Sequence, residues 1–253
     1  MIPKVIHYCW FGGKPLPKLA RKCIASWRKY LPDFELKLWN EDNFDLNIAP
    51  YVAEAYQAKK YAFVSDYARF WILYNYGGYY FDTDVEIIAP FDEIISRGAF
   101  MAAENVSSDV NGLQVAPGLG LACEKGHEVY KEILDYYNGI HYTLDMKNLE
   151  TVVTHTTKVL RRLGLRDVDE MQQVRGITIY PKAYFNPTTA VGHALELQPE
   201  SVSIHHYASS WMPWYVHLKK KVRSVIGPKA TIAIINFKRK VKRLLMFGKS
   251  KPE

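Results

Sequence analysis

Gly77-Gly78-Tyr79-Tyr80-Phe81-Asp82-Thr83-Asp84 is the stretch on which the fold turns. Two glycines end a helical run, three aromatic residues follow as a buried-strand candidate, and two carboxylates stand two residues apart where that strand runs out. Such a pair can bring two hard oxygen donors onto one Mg²⁺ or Mn²⁺. The spacing alone is a weak signal. Twelve aspartates in 253 residues give roughly half an Asp-x-Asp pair by chance, and Asp167-Val168-Asp169 is a second one. The setting separates them, because few solvent-exposed turns begin Tyr-Tyr-Phe.

Upstream, residues 51–76 carry apolar and aromatic side chains at helical spacing, with Ser65-Asp66 capable of capping a new helix and Gly77-Gly78 in the right place to stop it. Farther back, Val5 to Trp10 is a short apolar run closed by Phe11-Gly12-Gly13. Lys18 to Tyr30 has a helical pattern, and Phe34 to Trp39 alternates as a strand. Downstream, His127 to Tyr137 and Leu149 to Leu163 read as helices, and Ile177 to Tyr180 and Ser201 to Tyr207 as strands. Alternating strand and helix signals predict an α/β, Rossmann-like fold. Its mixed, mainly parallel sheet is flanked by helices and binds ligands beyond the carboxyl ends of strands. Trp10 to Gly13 and Asp82 to Asp84 then share one rim.

Charge divides the chain. The total is 33 Lys/Arg against 26 acids, a formal +7, which by itself would suggest a nucleic-acid or anionic-surface binder. Residues 219–253 hold twelve of those bases and one acid, net +11, leaving 21 bases against 25 acids, net −4, in residues 1–218. Ala230, Ile234, Phe237, Val241, Leu244 and Leu245 share one helical face, and Lys238, Arg239, Lys242 and Arg243 spread around the other. The division is thus a body, 1–212, and a basic amphipathic helical tail, 213–253. Cys9, Cys23 and Cys123 are odd in number and spaced for neither a disulfide framework nor a zinc site. With no secretory pattern at the N-terminus and no apolar stretch near the roughly 20 residues that span a bilayer, a cytoplasmic location is expected.

Four stretches in order resemble the motifs of glycosyltransferase family 32: Ile6-His7-Tyr8-Cys9-Trp10-Phe11-Gly12-Gly13, Phe63-Val64-Ser65-Asp66-Tyr67-Ala68-Arg69, the Gly77 to Asp84 run, and His205-His206-Tyr207-Ala208-Ser209-Ser210-Trp211. These are the Asp-x-Asp sugar transferases of bacterial capsule and polysaccharide synthesis, with the large glucosylating toxins as more distant relatives. The resemblance covers about residues 2–212 and makes 1–212 a catalytic domain. It implies a GT-A fold, a nucleotide-sugar donor, a divalent cation, Mn²⁺ or Mg²⁺, and retention of anomeric configuration.

Carried over position by position, the resemblance has Trp10 stacking on the nucleotide base, Asp66 contacting the donor's sugar hydroxyls and Arg69 beside sugar and metal. Tyr80 lies near the ribose and phosphates, Asp82 touches ribose and sugar, and Asp84 is the direct metal ligand. Ser209 or Ser210, with Trp211, donates hydrogen bonds to the diphosphate, and Asn111 stands near the anomeric carbon. Asp82, Asp84, Asn111 and Arg69 are the catalytic candidates. Two adjacent histidines on a strand face opposite ways, so at most one is a metal ligand. The motif spacing favours His206, with His205 as the alternative.

The same resemblance implies a UDP-sugar donor, galactose first and glucose second, and a polyprenyl-diphosphate-linked saccharide acceptor at the inner face of the cell membrane. The tail, 219–253, would contact the anionic membrane surface. No motif carboxylate is placed as a covalent nucleophile, so the expected chemistry is same-face attack by the acceptor hydroxyl with the leaving phosphate as base. Two rival readings exist. Asp82-Thr83-Asp84-Val85 also fits the first motif of a haloacid-dehalogenase-type phosphatase, and the tail with the aromatics fits a non-enzymatic nucleic-acid binder; a transferase has no nucleic-acid partner.

Overall fold

The computed structural model describes residues 1–107, 112–143, 150–188 and 195–208. The chain opens as predicted with β1 (Val5–Cys9), α1 (Lys18–Tyr30) and β2 (Glu35–Trp39). Residues 51–76 form two helices, α2 (Pro50–Gln57) and α3 (Tyr61–Tyr76), parted at Lys59, whose φ is +56°. The second start falls at Tyr61, so Ser65 and Asp66 lie inside α3 and cap nothing. Ser65 Oγ donates back to Tyr61 O at 3.2 Å, as a serine inside a helix does.

Gly77 and Gly78, at φ +68° and +104°, turn α3 into β3 (Gly78–Tyr80). A Cβ on Gly78 would stand 2.8 Å from Val5 O, so the strand starts pressed against β1 in a conformation open to glycine. There follow β4 (Val85–Ile87), α4 (Asp92–Ser96), β5 (Phe100–Ser107), β6 (Gly112–Val115), β7 (Leu121–Cys123), α5 (Glu128–Asn138) and α6 (Val152–Arg162). The described elements close with β8 (Gln172–Val174), β9 (Ile177–Tyr180), α7 (Lys182–Phe185) and β10 (Ser203–His205).

The main sheet has the order β2-β1-β3-β7-β5-β9-β8, with β6 beside β5. β1 is parallel to β2 and β3, and β5 to β9. β7 is antiparallel to both β3 and β5, and β6 and β8 are antiparallel to their neighbours. Five of the eight strands therefore run one way, and the expected α/β architecture with a mainly parallel sheet is the one observed. β4 and β10 form a separate antiparallel pair.

Helix α1 fixes that pair. Trp27 is fully buried; its Nε1–H donates to Val85 O at 2.8 Å and its ring packs on Phe81 and Tyr8. Ser26 Oγ accepts the Ile87 N–H at 2.9 Å. Deleting an indole from such a core costs about 3–5 kcal/mol. His7 joins three elements beneath the rim: Trp39 Nε1 donates to its Nδ1 at 3.0 Å, so its Nε2 carries the proton that faces Gly77 O at 3.0 Å. Burial pushes its pKa down to about 4, against the Gly77 hydrogen bond.

Candidate active site

β1 and β3 end on the same rim, His7 opposite Tyr80. Past β3, Val85 N–H donates to Asp82 O at 3.0 Å, folding Asp82-Thr83-Asp84 into the turn that begins β4. His205 Nε2 lies 3.1 Å from Asp84 Oδ1, and Asp82, Asp84 and His205 offer one donor atom each, all within 4.8 Å of one another. Two carboxylate oxygens and an imidazole nitrogen form a donor set able to hold a divalent cation. The second Asp84 oxygen accepts the Ala208 N–H at 2.8 Å. Burial would raise the Asp84 pKa, but the His205 hydrogen bond and charge, helped by that amide, outweigh it and hold the carboxyl below its usual range.

Arg69 forms the opposite wall. Its guanidinium is buried, with Nη2 2.8 Å from Asp66 Oδ1 and 3.2 Å from Asp82 Oδ1, and Nε donating to Ser65 O at 3.0 Å. Tyr80 adds its ring 5.0 Å from the guanidinium carbon and its hydroxyl 3.0 Å from Asp82 Oδ1. The spacing of Asp66 and Arg69, three apart on α3, lets one planar fork hold two carboxylates. Burial pushes the Asp66 carboxyl up to about 7 despite Arg69, and the Asp82 charge adds to the rise. Gly118 seals this corner. Its carbonyl accepts the Asp82 N–H at 3.1 Å, and a Cβ there would overlap Asp82 Oδ2.

Trp10 follows β1 on the rim, half-buried, with its N–H donating to Trp39 O at 2.9 Å and its Nε1–H to Lys14 O. Among the described residues no aromatic ring pairs with its indole.

Residues 17–101, with both aspartates, match the family model described as "Glycosyltransferase sugar-binding region containing DXD motif". An uncharacterized glycosyltransferase of Acanthamoeba polyphaga mimivirus is 26% identical over 87% of this chain and 86% of its own length. The chain carries a DXD-type glycosyltransferase sugar-binding region and is similar to the glycosyltransferases of family 32. Inositol phosphoceramide mannosyltransferase 1 of Schizosaccharomyces pombe is 29% identical over 40% of this chain and 33% of its own length. The chain thus spans about a third of the curated mannosyltransferases it matches. Among solved structures, the PaToxG glycosyltransferase aligns at 18% identity over 64% of this chain and 69% of that one, with a TM-score of 0.49.

The structure brings Trp10, Asp66, Arg69, Tyr80, Asp82 and Asp84 to one rim. Asn111, Ser209, Ser210, Trp211 and the tail lie outside the described residues. One expectation is corrected: His205, not His206, joins the two aspartates. β10 pairs antiparallel with β4, Ile204 opposite Glu86, so His206 shares the Glu86 face. There its Nε2 lies 2.8 Å from Glu86 Oε2, an oxygen that also accepts Lys22 Nζ at 2.8 Å. The second Asp-x-Asp is structural: Asp167 accepts the Leu113 N–H and pairs with Arg161, and Asp169 accepts the Lys182 N–H. Sequence reading missed Gly118 and the Ala208 amide. Pro117-Gly118 is a legible turn signal, but nothing local ties it to a carboxylate 36 residues earlier.

Proposed function

We propose that this chain is a glycosyltransferase that moves a hexose from a UDP-sugar to a lipid-linked saccharide acceptor, with retention of configuration and dependence on a divalent cation. The observation that carries this reading is the Asp82–Asp84–His205 group, set against a buried arginine. Asp84, His205 and Asp82 would hold the cation, which when bound supplies Lewis-acid neutralisation of charge on the departing diphosphate.

The chain's own residues do the rest. Trp10 stacks on the base, a contact worth about 1–3 kcal/mol. Arg69 keeps Asp82 in place and its positive charge faces the donor, while Asp66 and Asp82 accept hydrogen bonds from sugar and ribose hydroxyls. The acceptor hydroxyl attacks on the face the diphosphate leaves, and a phosphate oxygen takes its proton. A phosphatase of the haloacid-dehalogenase type is disfavoured because the motif follows the third strand rather than the first.

Galactose is the first donor sugar to test and glucose the second; the relatives named mannosyltransferases add nucleotide-activated mannose. Relatives named for inositol phosphoceramide favour a lipid-borne acceptor. The basic tail would hold the enzyme at the inner face of an anionic membrane, as a peripheral protein. Among the described residues no helix is long and apolar enough to cross one. The deciding experiment measures nucleoside diphosphate release, with and without Mn²⁺, from UDP-galactose, UDP-glucose and GDP-mannose. Cation-dependent release that Asp84→Ala abolishes is expected; equal release from Asp84→Ala sinks the assignment.

A further inference from the structure

Tyr207 is bound to the cation group in three ways that its position in the sequence does not announce. Its backbone is left-handed, φ +47°, a conformation a tyrosine adopts only where its surroundings hold it there. That turn ends β10 and redirects the chain. His206 N–H still pairs with Asp84 O at 3.0 Å, and the next free amide, Ala208 N–H, swings onto Asp84 Oδ2 at 2.8 Å. Asp84 is thereby gripped through backbone and side chain, and its Oδ1 is left facing His205.

The ring makes the second link. It lies against the His205 imidazole with centroids 4.1 Å apart, on a histidine whose Nδ1 is buried without a hydrogen-bond partner among the described residues. No hydrogen bond on Nδ1 fixes the plane of that imidazole, so the Tyr207 ring, tilted 52° against it, limits its rotation about the Nε2–Asp84 contact. The hydroxyl is the third link. It accepts from Asn186 Nδ2 at 2.6 Å and is hydrogen-bonded to Glu104, and Asn186 is itself tied to Glu104 O and to Thr188 Oγ1. One anchored side chain thus orients both the imidazole and, through its own backbone, the carboxylate.

We propose that Tyr207 is the positioning residue of the cation site, presenting Asp84 Oδ1 and His205 Nε2 together while touching neither cation nor sugar. This rests on the reading of Asp82, Asp84 and His205 as cation ligands. Groups that orient metal ligands typically change affinity about 10–100-fold when removed.

The test is Mn²⁺ binding by the full chain without donor, followed by the electron paramagnetic resonance of free Mn²⁺, with far-ultraviolet circular dichroism to check folding. Tyr207→Val, whose branched Cβ opposes a left-handed backbone, should weaken binding by about tenfold or more, whereas Tyr207→Phe, which keeps ring and turn, should stay within about threefold. Tyr207→Gly keeps the turn and loses the ring, and should weaken binding by an intermediate amount. If folded Tyr207→Val binds Mn²⁺ like the parent while Asp84→Ala does not, the positioning role falls and the cation site stands. If Asp84→Ala also binds like the parent, the cation reading falls and takes this inference with it. Should Tyr207→Val not fold, Tyr207→Gly decides: unchanged affinity overturns the role, weakened affinity supports it.

Discussion

Arg69 Nη2 stands 2.8 Å from Asp66 Oδ1, both side chains buried and one helical turn apart. The same guanidinium reaches Asp82 on another element, so α3 and the turn after β3 are joined by one charge. Arg69→Ala leaves a buried carboxylate without its partner and should destabilise the fold by about 3–5 kcal/mol. Arg69→Lys keeps a charge but not the fork, and should recover part of that loss. Urea unfolding of the two variants against the parent measures both, and equal stability of Arg69→Ala would remove the argument.

The two adjacent histidines should separate cleanly. His205→Ala removes a donor atom from the group with Asp82 and Asp84, and should weaken Mn²⁺ binding about tenfold or more. His206→Ala only frees Glu86, which keeps Lys22, and should leave Mn²⁺ affinity within about twofold. A reversed ranking in a calorimetric titration would restore the motif-spacing choice of His206.

Gly118→Ala adds a single methyl group against Asp82 Oδ2. The backbone there is held by its bond to the Asp82 N–H, so the carboxylate is the group that must move. Donor hydrolysis should fall about tenfold or more, since misplacing a reacting group by about 1 Å can cost 10²-fold. Turnover equal to the parent would show that Asp82 has no fixed place in the reaction.

His7 sets an acid limit on stability. Its pKa falls from the ordinary 6.5 to about 4 on folding, because burial penalises the imidazolium. Between those values the unfolded chain binds more protons than the folded one. This contribution is therefore fully present above pH 6.5 and is lost as pH falls towards 4, by up to about 3 kcal/mol. His7→Gln, which can still accept from Trp39 and donate to Gly77 O, should flatten that slope in melting temperatures taken across the window. An unchanged slope would move the acid sensitivity elsewhere.

The legible parts of this fold are those whose pattern repeats within a few residues. Helix α1 lies where the apolar spacing of Lys18 to Tyr30 predicts it, and β9 covers Ile177 to Tyr180. β7 was not legible: Leu121-Ala122-Cys123 is buried throughout, so its two faces carry no contrast, and only long-range pairing turns it antiparallel between β3 and β5. The misplaced helix start at Ser65-Asp66 has a similar cause. A serine before an aspartate is a capping signal locally, but the left-handed Lys59 had already restarted the helix at Tyr61.

The sequence by itself determined the chemical inventory: an aromatic strand delivering two carboxylates, a Ser-Asp-x-x-Arg helix, a tryptophan after the first strand, a histidine pair far downstream, and a basic tail apart from an acidic body. Those follow from local period and residue type. Which histidine meets the aspartates, which glycine makes room for Asp82 and which amide grips Asp84 were decided only by the tertiary structure. Each depends on the register of β10 against β4 or on the close approach of segments tens of residues or more apart, and side-chain direction across a strand pair reverses with every residue of register.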